Sequence, residues 1–124
     1  MKDDPDQYRG ASAFFAGMLA RGVAVRVDAI VLCELAWVLR SSYDHSRAEL
    51  AVVIEKILST EQLDVEDADS AWLALDDFRS SKADFADCFI GRRNQRSGCE
   101  ATVTFDGRLK PLATFELLPH AGRP

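Results

Sequence analysis

The sequence predicts an α/β fold, a parallel sheet flanked by helices. Two observations lead there: apolar residues recur at helical spacing along most of the chain, and short β-branched or alternating runs fall between those stretches. A third is size. At 124 residues, 48% hydrophobic and 28% charged, the chain has the length and composition of one globular domain. No repeat, low-complexity tract or linker divides it, so residues 1–124 are expected to form a single domain with a polar tail at 119–124.

Asp4-Pro5-Asp6 is a helix-start signal, and Phe14, Phe15, Met18 and Leu19 keep a helical period until Gly22, which predicts a helix over 5–21. Val23 to Val27 is short and β-branched, hence a strand, and Asp28 is placed to cap a helix over 29–41 that is apolar on nearly every side. Ser46 and Glu49 have capping-box spacing, and Leu50, Val53, Ile54, Ile57 and Leu58 carry that helix to Ser59. Leu63-Asp64-Val65 alternates as a short strand, and residues 67–79 return to a helical period around Ala71, Trp72, Leu75 and Phe78. Ser81 with Asp84 reads as a second capping box, opening a helix from about 82 to Arg96 that Gly98 terminates. Strands are expected at 101–105, ending in the turn pair Asp106-Gly107, and at 114–118. In such a sheet, sites gather beyond the carboxyl ends of the strands.

The net charge of −5 excludes a protein that coats nucleic acid by bulk charge, so a phosphate-bearing substrate would need a cation or a local basic patch. Three cysteines without CxxC spacing, and two separated histidines, do not make an ordinary zinc set; they point to a reducing cytoplasm. The N-terminus lacks the apolar core of a signal peptide, and no run is long enough to span a membrane.

Two acids stand out on apolar helices. Glu34 has Ile30, Val31, Trp37 and Val38 as its neighbours three and four residues away, and Asp87 lies among Phe85, Cys88, Phe89 and Ile90, past the first turn of its expected helix. An unpaired carboxylate in apolar surroundings calls for a cation or strong hydrogen-bond partners. The structural alternative pairs Glu34 with Arg26 or Arg40. Asp84 shares a face with Asp87 and is an auxiliary candidate, with its capping box as the competing explanation. Asp106 follows the last residue of an expected strand, where turn chemistry is the alternative, and Thr104 points to the same side of that strand. Carboxylates without histidine favour a hard ion, Mg²⁺ or Mn²⁺, over zinc or copper. Such ions lower the pKa of bound water and neutralise charge on a phosphoryl group, as phosphodiester hydrolysis requires. Arg92, Arg93 and Arg96 are the candidate phosphate contacts, against a plain role at a helix C-terminus.

The segments IVLCELAWVLRSSY around Glu34, KADFADCFI around Asp87 and TVTFD ending at Asp106 resemble the PIN-domain ribonucleases, specifically the VapC-type toxins of type II toxin-antitoxin pairs. The resemblance runs from about Asp3 to Leu118. It implies a PIN-like parallel sheet, a Mg²⁺-dependent endoribonuclease, a homodimer and inhibition by a cognate antitoxin. Residue by residue, it makes Glu34 the second acid of the family, Asp87 the third and Asp106 the fourth, with Thr104 as the supporting hydroxyl and Asp84 as an extra. The family's first central strand, ending in an aspartate, has no counterpart here; Asp3 and Asp4 lack the strand that would place them. Either a true start upstream of Met1 or an N-terminally truncated domain with impaired activity is therefore one expectation. A catalytically inactive PIN fold that binds antitoxin or RNA is another. A phospho-receiver, suggested by Asp3-Asp4 and Lys110-Pro111, fails because no strand precedes the acids. The last rival is a purely structural α/β protein in which Glu34 and Asp87 pair with arginines.

Overall fold

The computed structural model describes Ala13, Ala16, Gly17 and residues 20–119. It is an α/β structure, divided into two compact units at Ala68/Asp69, in which the described residues from Val25 onward form four α-helices and short parallel strands. Of the expected helix over 5–21, Ala13, Ala16, Gly17 and Ala20 are helical; its other positions up to Leu19 lie outside the described residues, as does most of the polar tail. Gly22 takes a φ of 68°, the left-handed conformation with which chains commonly leave a helix.

The first unit runs β1 (Val25–Val27), α1 (Ala29–Ser41), α2 (Arg47–Ser59) and β2 (Leu63–Val65). β1 and β2 pair in parallel, with Val25 opposite Leu63 and Val27 opposite Val65. The Val25 N–H donates to the Gln62 carbonyl and the Glu66 N–H to that of Val27, so the main-chain groups of Arg26 face the opposite edge, which takes no strand among the described residues. Val27 and Val65 are buried with Leu32, Ala36, Leu39, Leu50, Ala51 and Ile54 from the two helices. The other face of the sheet is polar: Arg26 donates to Asp64 at 3.0 Å and to Asp28 at 3.2 Å.

Both α1 and α2 begin where the sequence places them, one by the expected means. Ser46 and Glu49 form the complete capping box of α2, each side chain bonded to the other's main-chain N–H. Asp28 stands at the N-cap of α1 but makes no side-chain cap hydrogen bond; the Ala29 N–H donates instead to Glu66 Oε1 at 2.9 Å. The carboxylate of Asp28 has gone to Arg26, and Glu66, brought alongside by the β1–β2 pairing, takes over the orphan donor.

The second unit holds α3 (Ala68–Arg79), α4 (Phe85–Arg96), β3 (Thr102–Thr104) and β4 (Phe115–Leu117). The strands again pair in parallel, with Thr102 opposite Phe115 and Thr104 opposite Leu117. The expected parallel sheet is thus present as two two-stranded sheets, one in each unit. Arg92 ties α4 to α3 through a two-pronged contact with Asp77, at 2.8 and 2.9 Å. Phe78, Phe85 and Phe89 pack beside it, with ring centroids 6.2 and 5.7 Å apart.

On its sheet side α4 presents Gly91. A Cβ there would lie 2.6 Å from the Thr114 hydroxyl and 2.7 Å from the ring of Phe115, so only glycine lets helix and strand approach this closely. Asn94 adds a hydrogen bond to the Thr102 hydroxyl at 2.9 Å. The side of the sheet away from these contacts is uncovered, with Val103 59% and Phe105 55% exposed. No helix among the described residues is long and apolar enough to cross a membrane.

Gly91→Ala should destabilise the protein by about 1–3 kcal/mol, the usual range for overpacking, whereas Gly107→Ala, with open space around it, should change stability little. Urea unfolding of the two variants checks this; equal midpoints would mean that α4 and its sheet separate without difficulty.

Candidate acidic site

The acid-bearing ends of α4 and β3 are built differently from the sequence expectation. α4 starts at Phe85, three residues later than expected, with Asp84 at its N-cap and without a side-chain cap hydrogen bond. The Ser81 hydroxyl accepts from the Ala83 N–H at 3.2 Å, so the Ser81/Asp84 capping box does not form. Two consequences follow for the candidate ligands. Asp84 is exposed and loses the capping box that competed with a site role. Asp87 lies in the first turn of α4, where the helix dipole favours an acid, and not past it as the sequence suggested.

Despite that dipole, the Asp87 carboxyl is held above the ordinary carboxylate range. Its half-burial is the largest cause, and the charges of Asp84 and then Asp106 push the same way, while Arg108 pulls it down. Two of the other candidate acids, Asp84 and Asp106, therefore act on Asp87 within the second unit.

Asp106 follows β3 and opens a single 3₁₀ turn, Gly107–Leu109. The Thr104 hydroxyl accepts the Asp106 N–H at 3.0 Å, so Thr104 does support this position, through the main chain. Both carboxylate oxygens of Asp106 are engaged by Arg108: Oδ1 by its N–H at 2.9 Å and Nε at 3.1 Å, Oδ2 by Nη2 at 2.7 Å and Nε at 3.1 Å. These bonds from Arg108 hold Asp106 below the usual carboxylate range. Sequence reasoning missed this partner. Asp-Gly announces the turn, and an arginine two residues after the acid was the available signal.

Glu34 belongs to the first unit. It is exposed on α1 together with Ile30 (73%), Val31 (49%) and Trp37 (67%), on the side opposite the buried Ala29, Leu32, Ala36 and Leu39. The arginines proposed as its structural partners are used elsewhere: Arg26 by Asp28 and Asp64, and Arg40 by the His45 carbonyl at 3.1 Å.

The three candidate RNA-contacting arginines differ. Arg92 is spent on Asp77 and Gln95. Arg96 reaches Asp69 at 3.6 Å, across an exposed ion pair, and Arg93 lies 5.8 Å over the ring of Phe89. The exposed positions of Arg93 and Arg96 leave their outer surfaces toward solvent, whereas Arg92 is a structural tie.

The donors are of the hard-oxygen type that Mg²⁺ and Mn²⁺ prefer. Their arrangement does not fit such an ion as it stands: among the described residues no group of three or more His, Cys, Asp or Glu is placed to hold one, and Asp106 is filled by Arg108. Comparison of the chain with protein-family models, with curated proteins and with solved structures gave no match.

The raised Asp87 carboxyl has a consequence for stability. Below the ordinary carboxylate value, near pH 4, Asp87 is protonated in folded and unfolded chains alike and contributes no difference. As pH climbs through its higher folded value, ionisation opposes folding, so stability is lost with rising pH. Asp87→Asn should therefore raise the thermal midpoint at pH 7 in the absence of divalent ions, with the gain vanishing below about pH 4. Melting curves across that range measure it; a variant less stable than the parent at pH 7 would contradict the assigned strain.

Proposed function

We propose that the protein is a PIN-like, metal-dependent endoribonuclease of the toxin type, acting on RNA phosphodiester bonds. The observation that carries this reading is Asp87: a half-buried carboxylate, strained by its own desolvation and by Asp84 and Asp106, for which a divalent cation is the natural relief. The resemblance of the segments around Glu34, Asp87 and Asp106 supports the same reading, and the all-carboxylate donor set favours Mg²⁺ or Mn²⁺ as the ion. Asp87 and Asp106 are the proposed ligands of the second unit, with Asp84 auxiliary and Thr104 positioning Asp106, and Glu34 is the proposed acid of the first unit. A cognate antitoxin, a second copy of the chain and a cytoplasmic setting belong to this proposal too.

Arg93 and Arg96 are the proposed phosphate contacts. Arg92 leaves that role, since removing it from Asp77 would strand a mostly buried acid.

A second reading is favoured by the Arg108–Asp106 pairing, which neutralises one acid without any metal. In it the protein is an inactive PIN-like module that binds RNA or an antitoxin and does not cut. The two readings separate in one assay, in which purified protein is incubated with RNA and either Mg²⁺ or Mn²⁺. Under the nuclease reading cleavage requires the ion, and Glu34→Gln and Asp87→Asn each abolish it while circular dichroism shows the fold intact. Cleavage that survives either substitution sinks the mechanism, and RNA binding without cleavage selects the inactive module.

A further inference from the structure

We draw no further inference here: the strongest candidate, the exposed apolar face of α1 formed by Ile30, Val31 and Trp37 around Glu34, carries nothing because nothing in the structure shows what covers it.

Discussion

The second unit depends on the contact at Gly91, where α4 comes down on β4 with no side chain between them. On one side α4 is fixed by this close approach and by the Asn94–Thr102 hydrogen bond; on the other it is held by the Arg92–Asp77 fork and the three packed phenylalanine rings. A helix held from both sides cannot slide, and its first turn therefore stays where Asp87 feels Asp84 and Asp106. The electrostatics of the acids are in this sense set by a residue without a side chain and without charge.

Most helix positions were legible because their signals are local. The Ser46–Glu49 box and the period that follows it lie within a few residues of the turns they create, and α2 ends at Ser59 as expected. The start of α4 was misread for an equally local reason: Ser81 and Asp84 are both capping residues at box spacing, and the chain uses Ser81 in its own turn with Ala83 instead. The cap of α1 could not be read from sequence, since Glu66 is 37 residues from Ala29 and becomes its neighbour only through β1–β2 pairing. Strands are recognised by their residues but their partners are not, and three-residue strands such as Thr102–Thr104 carry too little pattern to say how many join one sheet. The acids themselves were readable as chemistry; the guanidinium that fills Asp106 was not, because a turn pair predicts a bend and not the path of the next long side chain.

The two acids that drew attention in the sequence are strained in different ways. At Asp87 the strain falls on the carboxylate, partly taken out of water beside other negative charges. At Glu34 it falls on the neighbours, since Ile30, Val31 and Trp37 remain in water around an exposed acid. Local violations of good packing or good solvation are what functional positions leave behind when the rest of a sequence agrees with its fold. Here one violation is electrostatic and the other hydrophobic, although the two residues look alike in a one-letter string.

The short sheets also bear on how this protein behaves when concentrated. A two-stranded sheet keeps outward-facing main-chain groups on both flanks, such as those of Arg26 on β1, and unpaired flanks are templates for other chains. The first sheet guards itself, because Arg26, Asp28 and Asp64 put charges across its outer face and disfavour stacking. On the second sheet the corresponding face carries a single acid, Glu116 opposite Val103, beside the exposed Val103 and Phe105, so it is the less guarded of the two.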